Sequence, residues 1–95
     1  MRLDKYLKNS RLIKRRTVAK EACDGGRVSV NGTTAKAGTD LKVGDEIFIA
    51  FGNSSIKVRV KALIESPRKE ETTDMYDVLE WLTINTQIFY TLEAS

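Results

Sequence analysis

The chain has 95 residues, 41% apolar, 7% aromatic and 31% charged, enough for one small domain whose core is drawn mostly from Val, Ile, Leu and Ala. No run approaches the roughly 18 apolar residues of a membrane span, Met1-Arg2-Leu3-Asp4-Lys5 lacks the apolar stretch of a signal peptide, and the single Cys23 has no internal disulfide partner, so a cytoplasmic protein is expected. The net charge of +3 hides a split: residues 1–36 carry ten Lys/Arg against three Asp/Glu, whereas residues 37–95 carry six against ten. A field this lopsided on a small domain points to an anionic partner on one side.

From Arg2 to Lys8, Leu3 and Leu7 lie four apart with Tyr6 beside them, which predicts one apolar helical face. Asn9-Ser10 interrupts, and Leu12-Ile13 adds a second apolar pair. A second helix is predicted from Arg16, with Val18/Ala22 and Ala19/Cys23 as i,i+4 pairs small enough for close packing, and Gly25-Gly26 stops it. Arg27–Val30 alternates as a strand, Asn31-Gly32 is a hairpin signal, and Thr33–Lys36 returns. Val43-Gly44-Asp45 turns into Glu46–Phe51, where Ile47, Ile49 and Phe51 share a face. After Gly52–Ser55, a regular strand sets Ile56, Val58, Val60, Ala62 and Ile64 against Lys57, Arg59 and Lys61. Beyond Pro67, Thr72–Leu82 has the spacing of a short helix with Met75, Val78, Leu79 and Leu82 inward; for residues 83–95 a loose tail, an added edge strand and a partner contact all remain open. The expected fold is α+β, two N-terminal helices packed on a small, twisted, mainly antiparallel sheet. Residues 1–66 form the binding domain and 67–95 an extension.

Without histidine, imidazole acid–base chemistry is excluded, and one cysteine without histidine excludes the common zinc sets. The glycines form no phosphate-cradling or dinucleotide motif. No enzyme activity, cofactor or metal is expected, and Cys23 reads as a small buried filler. Lys8, Arg11, Lys14, Arg15, Arg16 and Lys20 instead build a basic face, with Lys14 and Arg15 near the start of the second helix. There the unpaired backbone N–H groups and the helix dipole favour a phosphate, and arginine can grip two phosphate oxygens at once. Such a surface reads nucleic-acid shape more than sequence.

Four blocks in order, Arg2-Leu3-Asp4-x-x-Leu7, Arg16-Thr17-x-Ala19-Lys20, Gly26-Arg27-Val28-x-Val30-Asn31-Gly32 and Val43-Gly44-Asp45-Glu46-Ile47, resemble the RNA-binding domain first described in ribosomal small-subunit protein S-four. The likeness spans roughly residues 1–50 and implies the alpha-L RNA-binding fold. The family often has serine at the position of Arg15, so a helix cap is lost and a cation gained. The Ser10–Thr17 run and the Lys69-Glu70-Glu71…Met75-Tyr76 region resemble stand-alone heat-shock-protein-fifteen-like factors of ribosome-associated quality control. That resemblance implies binding to an obstructed large ribosomal subunit through large-subunit rRNA and peptidyl-tRNA. It also implies support of RqcH in adding alanines to the stalled chain; off the ribosome a monomer is expected, although the sequence itself leaves the oligomeric state open. Arg2 and Arg16 are the first candidates for RNA contact, with Arg11, Lys14, Arg15, Lys20, Lys8 and Arg27 around them; Asp4 is expected to orient an arginine or cap the first helix. Lys57, Arg59 and Lys61 read first as the wet face of a strand.

Other readings are an rRNA-binding rescue or assembly factor and a protein-interaction module acting through the apolar tail. A membrane-surface protein is disfavoured, because Ala19, Ala22 and Cys23 are too small to anchor it.

Overall fold

The computed structural model describes residues 1–83, so the readings for the tail beyond Thr83 lie outside the described residues. Helix α1 (Leu3–Asn9) and helix α2 (Arg16–Asp24) pack together on one face of a five-stranded antiparallel sheet. Its strands are β1 (Val28–Val30), β2 (Thr33–Thr34), β3 (Glu46–Phe51), β4 (Ser54–Val60) and β5 (Tyr76–Thr83), in the order β2-β1-β3-β4-β5. The expected α+β architecture is the one observed.

Registers follow from alternation. Val28 faces Ile49, Ile47 faces Val58, and Ile49 faces Ile56, so one apolar row crosses three strands and meets Leu3, Leu7 and Tyr6 of α1 in the core. On α2 the buried face is Ala19, Ala22 and Cys23, while Val18 is 48% exposed, contrary to its expected pairing with Ala22 toward the core. Phe51 is likewise 40% exposed, because β3 ends there beyond the cover of the helices. The β1–β2 turn carries Asn31 at φ 53° and Gly32 at φ 84°, the left-handed pair that an Asn-Gly hairpin supplies.

The predicted β4 continues only to Val60. There the backbone N–H groups of Lys61 and Ala62 both donate to the Met75 carbonyl, at 2.8 and 3.2 Å, and the Tyr6 hydroxyl donates to it as well, at 2.5 Å. One carbonyl thus joins the end of β4, the start of β5 and the middle of α1.

The helix expected over Thr72–Leu82 is not formed. A 3-10 helix spans Lys69–Met75 and β5 follows, paired along β4 from Val60↔Tyr76 to Ser54↔Thr83. Met75, Val78, Leu79 and Leu82 have helical spacing in sequence, but Met75 ends the 3-10 helix, Leu79 falls at the register shift between Val58↔Val78 and Lys57↔Glu80, and Val78 and Leu82 lie on opposite faces of β5. Val78 and Leu79 are 50% and 40% exposed rather than inward.

Candidate nucleic-acid interface

The centre of the basic face is a buried carboxylate. Asp4 lies in the first turn of α1 with its side chain 4% exposed. Its Oδ1 accepts from Arg2 Nε at 3.2 Å and from the Lys5 backbone N–H at 2.8 Å, and Arg16 Nε lies 3.4 Å from Oδ2. Two arginines from different elements therefore share one anion, one before α1 and the other opening α2. About half of each arginine side chain remains in solvent. Nε faces inward on both, which leaves the outer guanidinium edges to meet an external anion.

The local backbone explains this placement. The Leu3 and Asp4 N–H groups, orphans of the first helical turn, donate to the carbonyls of Thr39 and Ala37 at 2.8 and 3.1 Å. Arg2 forms an antiparallel bridge with Asp40, and its guanidinium comes within 4 Å of where a side chain on Gly38 would begin. The 37–40 loop thus seats the arginine, and the glycine gives it room.

Burial pushes the Asp4 carboxyl upward, but the Arg2 hydrogen bond, the Lys5 N–H and the Arg16 charge outweigh it, and its pKa lies below the ordinary 3.8. A carboxyl depressed on folding stabilises the fold above its unfolded pKa, and that contribution is lost as pH falls through the folded value. Urea midpoints are therefore expected to drop below pH 3.8 more steeply in the wild type than in Asp4→Asn. Parallel acid limbs would contradict the pairing.

Nearby, burial first and the Asp4 and Asp24 charges next raise the Cys23 thiol to about 11, leaving it protonated and unreactive at neutral pH. That agrees with a packing role.

The other expected cations divide by position. Lys8, Arg11 and Lys14 line a groove with Glu65, Ser66 and Pro67. Arg15 occupies the N-cap of α2, no side chain caps that helix, and its first-turn N–H groups add to the positive edge beside Lys14 and Arg16. Lys20 stands one turn beyond Arg16 beside Thr17, Glu21 and Asp24. Arg27 does not join them. It follows the Gly25-Gly26 turn at the far end of α2, a helix length of about 13 Å from Arg16.

The groove wall was not foreseen from sequence. Asn9, read as an interruption, is the last residue of α1, buried, and its side-chain amide donates to the Ile64 and Glu65 carbonyls at 3.2 and 2.9 Å. No short-range pattern signals a contact spanning more than fifty residues. Lys5 pairs with Glu65 across the same seam, leaving that acid occupied.

On the opposite face of the sheet, Lys57 and Arg59 both pair with Glu46, at 3.3 and 3.2 Å, and Lys61 lies 3.6 Å from Asp77. Those three cations face two acids, and Glu80, opposite Lys57 across the β4–β5 pairing, supplies the third. Lys57→Ala/Arg59→Ala is expected to leave both RNA affinity and its salt slope at wild-type values in a filter-binding titration. A shallower slope would reveal a second RNA surface.

A family model, the S4 domain, matches residues 1–47. The Listeria innocua protein named RQC P-site tRNA stabilizing factor is 56% identical over 80 residues, covering 84% of this chain and 87% of its own length. The Streptococcus pneumoniae protein of the same name is 56% identical over 79 residues, covering 83% and 90%. Among solved structures, trimeric Heat Shock Protein 15 of Vibrio cholerae superposes with a TM-score of 0.80 at 24% identity, over 98% of this chain and 94% of that one. That last likeness bears on the fold alone.

Proposed function

Since the chain belongs to the family of RQC P-site tRNA stabilizing factors, built on an S4 domain, we propose that it binds the obstructed large ribosomal subunit, touching large-subunit rRNA and peptidyl-tRNA. There it holds the tRNA in place while RqcH extends the stalled chain with alanine. The observation that carries this reading is the Arg2–Asp4–Arg16 arrangement: two half-exposed guanidinium groups fixed on one buried carboxylate. Fixing them before binding spares the cost of ordering two long side chains at the interface, about 0.5–1.5 kcal/mol each. The surrounding Arg15 and Lys20 supply attraction to phosphates without reading bases.

Reconstituted tailing on obstructed large subunits tests the role. With RqcH and charged alanine tRNA present, omitting this chain or supplying Arg2→Ala/Arg16→Ala should sharply reduce alanine addition. Full tailing without the chain would direct the reading toward an rRNA-binding rescue or assembly factor.

A further inference from the structure

Two non-glycine residues among those described hold a left-handed backbone, Asn31 at φ 53° and Arg11 at φ 63°. That conformation is unfavourable for any residue with a Cβ, and least so for asparagine. Asn31 has an internal reason to be there. Its amide donates to Asp45 at 3.1 Å and its side-chain oxygen accepts the Glu46 N–H at 3.0 Å, so the side chain ties two loops together. Arg11 has no such reason. It follows the Ser10 C-cap of α1, where glycine is the usual solution, and its own N–H closes the turn on the Lys8 carbonyl at 3.0 Å. Its exposed guanidinium finds no acid among the described residues, and the same holds for Lys8 and Lys14 beside it.

We propose that Lys8, Arg11 and Lys14 form a second phosphate-binding groove that tracks the backbone of an RNA segment other than the one gripped by Arg2 and Arg16. Arginine is kept at the strained position 11 for that contact. The inference rests on the RNA-binding reading above and adds a separate subsite to it. Arg2 and Arg16 are held on Asp4 in the first turn of α1, whereas Lys8 and Arg11 lie at and just beyond its last turn, a helix length of about 10 Å away, so one phosphate held by the Asp4 pair does not reach them. Lys14, two residues before Arg16, lines the groove side. Glu65, the acid lining the groove, is neutralised by Lys5. The Asn9 amide is spent on fastening the wall, and the Thr72 hydroxyl donates to the Lys69 carbonyl at 3.0 Å. What remains is three cations with little to read a base, which suits a phosphodiester backbone.

Arg11→Gly and Arg11→Ala separate strain from charge. Binding to large subunits with and without peptidyl-tRNA, titrated with salt, is read beside thermal melts. Arg11→Gly is expected to melt about 4 °C higher, yet to bind roughly fivefold more weakly with a salt slope shallower by about 1. Arg11→Ala should show the same binding loss without the gain in melting temperature. A loss confined to tRNA-bearing subunits assigns the groove to tRNA, and an equal loss on both assigns it to rRNA. Wild-type affinity and slope in Arg11→Gly would overturn the groove. The parent reading fails separately, when Arg2→Ala/Arg16→Ala binds as well as wild type.

Discussion

Asp4→Asn should weaken RNA binding roughly tenfold, even though it removes a negative charge from the basic face proposed to meet RNA. Two effects oppose each other. An anion about 8 Å from a phosphate at a wet surface repels it by only about 0.5 kcal/mol, so its removal gains little. The carboxylate, however, offers two oxygens to two arginines, Arg2 on Oδ1 and Arg16 on Oδ2. Asparagine keeps the shape but presents one acceptor, and its amide turns donors toward the second guanidinium. One arginine then loses its partner and the other keeps only a neutral acceptor in place of a charged one, so both are held less firmly and part of the ordering cost of about 0.5–1.5 kcal/mol per side chain returns on binding. Geometry outweighs charge, and affinity measured with a folded variant should fall. Tighter binding by Asp4→Asn would mean that net charge alone governs the interaction.

Tyr6→Ala should destabilise the fold by about 3–5 kcal/mol, the largest single effect expected on stability. The ring is fully buried in the same core as Leu3, Leu7 and Met75, and a close-packed core cannot collapse enough to refill its volume. Tyr6→Phe should cost only about 1 kcal/mol. The Met75 carbonyl that loses the hydroxyl keeps the Lys61 and Ala62 N–H groups as donors, so no buried acceptor is orphaned. Urea denaturation of the two variants checks both figures. Similar losses from Phe and Ala would place the stabilisation in the hydroxyl rather than the ring.

Short-range patterning carried most of the fold. The i,i+4 apolar pair of α1, the Asn-Gly turn and the strict alternation of β3 and β4 each specify an element without help from the rest of the chain. The misread places have identifiable causes. Met75, Val78, Leu79 and Leu82 are spaced as in a helix, but pairing along β4 overrides that local pattern and leaves Leu79 at a bulge. Val18 differs from Ala19 by one position on α2, and only the seat of that helix on its neighbours decides which faces inward. At the interface, Arg2, Asp4 and Arg16 were legible as members of recurring blocks. Their convergence on a single carboxylate was not, because it requires the 37–40 loop and the α1–α2 packing to bring residue 2 against residue 16. Arg27 shows the reverse: it belongs to a block in sequence but lies at the other end of α2.

The most direct test is equilibrium binding to purified large subunits, with and without peptidyl-tRNA, for the wild type and Arg2→Ala/Arg16→Ala across a salt series. The account predicts that the wild type prefers tRNA-bearing subunits, with a steep slope appropriate to about six neutralised phosphates. The double variant should lose that preference, with a slope shallower by about 2. Equal binding of the wild type to both kinds of subunit, with an unchanged slope in the variant, would contradict it.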